Sequence, residues 1–322
     1  MSDSITVTVP ARLHLGFLDL NGELGRTFGS IGLALSGLRT RVTVSRAAHA
    51  QVLGPDSERA RRYVETLRDA LGLRGGHRVQ IEQAIPAHAG LGSGTQLALA
   101  LAAAMRKLHD LPLDVRGDAV RLGRGGRSGV GIGLFDAGGV VVDGGRGPAN
   151  GAAPVISRIP FPPAWRIVLV LDPTRSGVHG ADESTAMAQL APMPAATAAQ
   201  ICRLVLMQAM PALVEADLPN FAAAISEMQA LLGAYFAPVQ GGAFTSPAVA
   251  AALDLFENEG ALGRGQSSWG PTGFTFTHTR EQAEKLVALA RKYCRGLDIR
   301  ACEGLNHGAH IAVDAAAAMP HP

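Results

Sequence analysis

Residues 77–108 constrain the fold more tightly than any other part of the chain. The alternation from His77 to Ile85 predicts a strand, Pro86 ends it, and the small apolar residues of 97–108 predict a helix. Between them lies Gly90-Leu91-Gly92-Ser93-Gly94-Thr95-Gln96. Glycine at every second position lets the backbone take positive φ and brings N–H groups close to a ligand. Those N–H groups open a helix, where unpaired donors and the helix dipole favour an anion. Ser93 and Thr95 add hydroxyls suited to phosphate oxygens or a phosphate-bound Mg²⁺. The segment reads as a phosphate cradle, with Gly90, Gly92, Ser93, Gly94, Thr95 and Gln96 as candidate contacts; as a plain strand-to-helix turn it would need no ligand. No Gly-Lys-Ser/Thr follows the glycines, and the spacing is not that of a dinucleotide fold.

A chain of 322 residues suits two domains. Only 5% of it is aromatic against 47% hydrophobic, so the core must be aliphatic, and its 39 glycines gather at 90–94, 123–147 and 260–273. The net charge is +2, no basic run exceeds Arg61-Arg62, and no aromatics interleave, so no nucleic-acid partner is expected. Met1 to Ser4 run straight into a strand without a charged and apolar leader. The longest apolar run, 97–105, falls well short of the ~20 residues of a span. The expectation is a cytoplasmic protein with no membrane partner. Cys202, Cys294 and Cys302 are widely spaced and read as reduced core thiols.

Strands are predicted at 4–9 (ended by Pro10), 31–35, 40–45, 51–53, 140–143, 166–171, 273–277, 297–301 and 309–313, and further helices at 56–71, 114–122, 195–216, 220–235, 247–258 and 280–293. Pro148, Pro154, Pro160, Pro162 and Pro163 mark a linker, giving domains of 1–160 and 161–322. Near the N-terminus, Arg12, His14, Asp19, Asn21 and Arg26 are dense polar groups in an apolar segment, and Arg12 and His14 share one strand face. Asn21-Gly22 marks a hairpin turn. The glycine-rich run 123–139 carries Arg127 and Ser128, and 263–273 carries Ser267 and Ser268 beside a Pro-Thr-Gly turn that would face a cleft. Asp172, Ser176, His179 and Glu183 form a polar group that would suit a mobile loop over that cleft.

The order of these motifs resembles that of the GHMP kinases, the galactokinase, homoserine kinase, mevalonate kinase and phosphomevalonate kinase group, over nearly the whole chain. Pro10-Ala11-Arg12 stands at their N-terminal signature, 86–96 at their second motif and 263–273 at their C-terminal glycine motif. The resemblance implies a two-domain α+β fold with the active cleft between the domains. Two departures tell against kinase chemistry. Ser128-Gly129-Val130-Gly131 ends in glycine where mevalonate-type kinases carry the aspartate that takes the hydroxyl proton, help worth about 10²–10⁴-fold. Gly94 stands where many of them carry a second serine for Mg²⁺, with Thr95 next to it.

The runs 18–26, 90–96, 125–132, 142–145 and 267–272 more closely resemble the β-ribofuranosylaminobenzene 5′-phosphate synthases, GHMP-group enzymes of methanopterin-type cofactor synthesis that are not kinases. That resemblance implies joining of phosphoribosyl diphosphate to 4-aminobenzoate through a C–C bond, with Mg²⁺ and with release of CO₂ and diphosphate, in a homodimer. No hydroxyl is deprotonated, so the base missing at Gly131 is not needed. On this reading the 90–96 loop holds diphosphate, with Ser93 and Thr95 near phosphate or Mg²⁺. Arg26 and Arg127 neutralise phosphate, Ser128, Ser267 and Ser268 add substrate contacts, and Arg12 or His14 holds the benzoate carboxylate. Asp19 either stabilises positive charge at the ribose C1 or caps a turn, and Asp143 is either a metal ligand or a turn residue. A small-molecule ATP-dependent kinase and a non-catalytic sugar or nucleotide sensor stay open beside the synthase.

Overall fold

The computed structural model describes residues 4–148, 151–178 and 180–314. The first half runs β1 (Ser4–Asp19), β2 (Phe28–Ala47), β3 (Gln51–Leu53), α1 (Ser57–Ala70), β4 (Gly76–Gln83), α2 (Ser93–Leu108), α3 (Val115–Arg121), α4 (Val130–Ala137), β5 (Val140–Asp143) and β6 (Val155–Ile159). The second half runs β7 (Arg166–Leu171), α5 (Gly180–Gln189), α6 (Ala195–Leu204), a π-helical turn (Val205–Ala209), α7 (Met210–Glu215), α8 (Leu218–Gln240), α9 (Pro247–Asn258), β8 (Leu262–Gln266), β9 (Gly273–Thr277), α10 (Arg280–Tyr293), β10 (Asp298–Cys302) and β11 (His310–Asp314).

Two sheets result. The first orders its strands β11-β1-β2-β4-β3, with β5 also on β2 and β6 on β5; the second is β10-β7-β9-β8. β1 and β2 are far longer than the short strands expected of them. Pro10 does not end β1, because it falls where the register shifts between Pro10 and Ala11 and no ladder hydrogen bond is demanded of its missing N–H. The merged β2 pairs with β4 through 41–47 and with β5 through 30–33, so one strand serves both ends of the sheet. The proline-marked segment holds an edge strand, β6, antiparallel to β5. β11 returns to pair with β1, so the end of the chain is stitched to its beginning.

Burial divides β1 between two cores. Ile5, Val7 and Val9 pack with α1 and α2, whereas Leu13, Leu15 and Phe17 join Trp165, Phe221, Met228 and Phe274 from the second half. A third cluster, including Val168, Val170, Leu253 and Phe256, covers the other face of the second sheet. Each fully buried side chain of this size stabilises by about 1.5–3 kcal/mol relative to exposure. The consequence for function is positional: Arg12 and His14 lie where β1 passes from one core to the other. Ala195–Glu215 is the one helical run among the described residues long and apolar enough to cross a membrane. Its Ala198, Ile201, Leu204, Ala209 and Leu213 are buried in the shared core. Of the three free cysteines, Cys302 is buried, its thiol pushed up to about 12 by desolvation, but Cys202 is exposed and not a core thiol.

Candidate active site

The glycine loop is held from two sides. From β1, Arg12 donates its backbone N–H to Leu91 O (3.1 Å) and its Nη1 to Gly90 O (3.0 Å). From the third glycine loop, Ser267 Oγ donates to Gly90 O (2.7 Å) and Thr272 Oγ1 to Ala89 O (2.7 Å). Gly90 has φ 75°, and a Cβ there would lie 2.2 Å from Ser267 O, so only glycine permits this approach. α2 begins at Gly92 with no side-chain cap, which leaves the N–H groups of its first turn for a ligand.

This loop floors a cleft of about 530 Å³ that continues into a chamber of about 320 Å³ under the 123–131 segment. Arg12, Arg59, Arg62, Arg124, Arg127 and Arg146 line the two, and Glu183 is the lone carboxylate among their described lining residues. Glu183 lies 2.6 Å from Arg127, and Arg124 meets the Tyr63 hydroxyl and stacks over its ring at 5.4 Å. Burial draws the Arg12 guanidinium down to about 10, against the opposing pull of Glu183, so it stays charged at neutral pH. Burial, and then Arg12, hold His14 well below its usual 6.5, so that imidazole is neutral. A site this rich in guanidinium and helix N-termini is built for a polyanion.

Of the residues expected at the site, Arg12, His14, Gly90, Gly92, Ser93, Gly94, Thr95, Arg127, Ser128 and Ser268 line these spaces. Five others are placed elsewhere, each for a physical reason. Ser267 is fully buried, accepting from His14 N (3.0 Å) while donating to Gly90 O. Gln96 is buried and ties α2 to α4 through Gly131 O (3.1 Å). Asp19 caps the turn, accepting from Asn21 N (2.7 Å) and Gly22 N (3.1 Å). Arg26 clamps that turn to Gly144 O (2.7 Å) and Gly145 O (2.9 Å). Asp143 is fully buried and accepts from Gly129 N (2.8 Å), Gly145 N (2.9 Å) and Ser128 Oγ (3.2 Å), so its oxygens are not turned to a metal in the cleft. Burial raises its carboxyl above the ordinary value while those hydrogen bonds pull the other way. In the second polar group, Asp172 accepts from Ser246 Oγ (2.6 Å) at the start of α9, Glu183 reaches the cleft on α5, and His179 lies outside the described residues. Of that group only Glu183 lies on a helix; Asp172 and Ser176 lie in the turn and coil of 172–178 that leads into α5.

Gly131 sits at the meeting of α4 with α2. A Cβ on it would stand 2.9 Å from Thr95 Cγ2, so Thr95 occupies the space into which a side chain at 131 would grow. Among the described residues, no three His, Cys, Asp or Glu gather as a protein-built metal cage would require.

The chain matches two family models, the GHMP kinases N terminal domain over 58–144 and the GHMP kinases C terminal over 209–296. It is 35% identical to the β-ribofuranosylphenol 5′-phosphate synthase of Archaeoglobus fulgidus over 70% of its own length and 76% of that protein. It is 31% identical to the one of Methanocaldococcus jannaschii over 89% of its length and 94% of that protein. The chain belongs to the β-ribofuranosylphenol 5′-phosphate synthase family. Its fold is that of the GHMP kinases: a putative homoserine kinase of Listeria monocytogenes superposes with a TM-score of 0.69, covering 96% of this chain and 100% of that one at 19% identity. Within that fold, this chain carries Gly131, and so no side chain at that position that could act as a base.

Proposed function

We propose that this chain joins phosphoribosyl diphosphate to 4-aminobenzoate, giving β-ribofuranosylaminobenzene 5′-phosphate, CO₂ and diphosphate. The observation that carries the reading is Gly131 closed over by Thr95 in an arginine-lined cleft: space and charge for a polyanion, and no room at 131 for a general base. The relatives' name gives a ribofuranosylphenol as product, which corresponds to 4-hydroxybenzoate as acceptor in the same reaction.

The bond changes balance without an added acid or base. The C1–O bond to diphosphate breaks with its electron pair leaving on oxygen. The ring carbon that bears the carboxylate attacks C1, pushed by the para substituent, and the C–CO₂ pair then restores aromaticity. The chain's own residues supply charge placement, which is where such a reaction gains most. The Gly90–Gly94 backbone, with Arg59 and Arg62, faces the leaving diphosphate. Arg124, Arg127 and Arg146 suit the 5-phosphate, and Arg12, between the two, suits the acceptor carboxylate. Mg²⁺ favours hard oxygen donors and binds through one or two carboxylates plus substrate phosphates. Ser93, Thr95 and Glu183 are such donors and would hold it, where it supplies further neutralisation of the leaving group. Placement as a homodimer rests on the resemblance alone and is checked by sedimentation.

The test is incubation with phosphoribosyl diphosphate, carboxyl-labelled 4-aminobenzoate and Mg²⁺. Labelled CO₂ that requires all three is the expected result. ATP consumption on a panel of alcohols, with no CO₂, would overturn the proposal.

A further inference from the structure

Behind the chamber lies a small inner cavity of about 30 Å³, reached past His14, Phe17 and Ser268, which line both spaces. On the measure by which about 10–15 Å³ holds one water, it admits a single small polar group and no ring. Its walls include Leu232, Phe236, Trp269 and three glutamines. The glutamines are spent: Gln229 joins Leu15 O to Gln266 N, Gln266 Oε1 accepts from Thr245, and Gln240 donates to Gly242 O. What remains unpaired is the His14 ring, with neither nitrogen partnered at 2% exposure, and Trp269 Nε1 at 3%. A buried polar group left unpaired is costly, so this one calls for a hydrogen-bonding partner inside the cavity, water when the site is empty and a ligand atom when it is filled.

We infer that the inner cavity is the seat of the acceptor's para substituent, with the His14 imidazole accepting a hydrogen bond from its N–H or O–H. This rests on the transfer reaction proposed above and moves His14 from the carboxylate to the opposite end of the acceptor. A neutral imidazole is a poor holder of an anion, and Arg12 is the charged neighbour. The benzoate ring lies in the chamber against Phe17, its carboxyl end toward Arg12. As C1 is attacked, electron density moves from the para nitrogen or oxygen into the ring, and its hydrogen becomes a stronger donor. The bond to His14 therefore tightens in the transition state and no proton leaves. Trp269 Nε1 is placed to donate to a phenol oxygen, which accounts for one cavity serving both amino and hydroxy acceptors.

Dissociation constants for benzoate, 4-aminobenzoate and 4-methylbenzoate, measured calorimetrically with diphosphate and Mg²⁺ present, test this. The methyl compound matches the amine in size, so the cavity admits both, but it has no N–H. Wild-type protein should prefer 4-aminobenzoate to both others by about 10- to 100-fold. His14→Phe should bring that preference within about 3-fold, and His14→Gln, which keeps an acceptor oxygen, should retain part of it. Unchanged diphosphate binding certifies the fold of each variant. A His14→Phe protein that binds diphosphate normally yet keeps the wild-type preference overturns the inference. So does wild-type protein that binds the methyl compound as tightly as the amine, which decides the matter if the variants fail to fold. A preference that depends on His14 without CO₂ release leaves the para seat standing and removes the transfer reaction.

Discussion

Gly131→Ala is the sharpest probe of the proposed chemistry, because the added methyl should act on Thr95 and not on the helix that carries it. Glycine in a helix interior costs about 0.8–1 kcal/mol relative to alanine, so propensity alone favours the change. Against that, the new Cβ stands 2.9 Å from Thr95 Cγ2. Overpacking of this kind costs about 1–3 kcal/mol. The net expectation is roughly 0–2 kcal/mol of destabilisation. Turning Thr95 about χ1 relieves the contact and displaces its hydroxyl from its place at the cleft; kcat/KM should fall on the order of 10-fold, about 1.4 kcal/mol.

Thr95→Ser isolates the cause, since it deletes the offending methyl and keeps the hydroxyl. The next nearest atom, Thr95 Cβ at 3.4 Å, is ordinary van der Waals contact. The double variant should therefore recover both stability and CO₂ release. The assay is urea unfolding and labelled CO₂ release on the parent, both single variants and the double. A coupling energy within about 0.5 kcal/mol of zero would refute the packing argument, because residues in direct contact couple by about 0.5–3 kcal/mol.

Arg127→Gln should raise KM for phosphoribosyl diphosphate by about 10- to 100-fold, the worth of a charge-assisted hydrogen bond, and leave 4-aminobenzoate binding nearly unchanged; steady-state kinetics with each substrate varied separates the two. Arg106→Met should destabilise by about 3–5 kcal/mol, because buried Asp118 loses its bidentate partner (2.5 and 2.9 Å) and keeps only Arg121 (2.8 Å); adding Asp118→Leu should recover most of the loss in urea unfolding. His77 and His109 meet at 2.7 Å between their Nε2 atoms, and burial first, then the neighbouring charges, hold both below 6.5. Unfolded rings take up protons near pH 6.5 that the folded pair refuses, so this stability is present above that pH and lost as pH falls through the lowered folded values. The urea midpoint should drop from about pH 7.5 to about pH 5.5, and His109→Asn should flatten that dependence.

The parts of the site carried by local backbone chemistry were legible in the sequence. The Gly90–Gln96 loop announces itself through glycine spacing and flanking periodicity, and α1, β3, β5 and β7 lie within a residue or so of their expected bounds. Pro10 was misleading because its cost depends on whether a partner strand asks for its N–H, and the register shift that excuses it is a property of β2. The glycine-rich 123–139 run hid α4, whose glycines allow close packing: a Cβ would stand 2.9 Å from Thr95 Cγ2 at Gly131 and 2.7 Å from Val155 Cγ2 at Gly133.

The same logic explains the residues that were missed. Arg59 and Arg62 look like the solvated face of an amphipathic helix, and on α1 alone they are, each paired with an acid one turn back. Only the packing of α1 beside α2 carries that face to the mouth of the glycine loop, and no local pattern encodes it. Asp19 and Arg26, polar groups in an apolar segment, and Ser267 in its glycine loop show the opposite: offered as site residues, with turn capping left open for Asp19, they here hold turns and loops. Polar residues in apolar segments are thus a signal of buried hydrogen bonding first and of substrate contact second. His14 differs from them in one respect that only the structure can supply, for its ring is buried and still has nothing to bond.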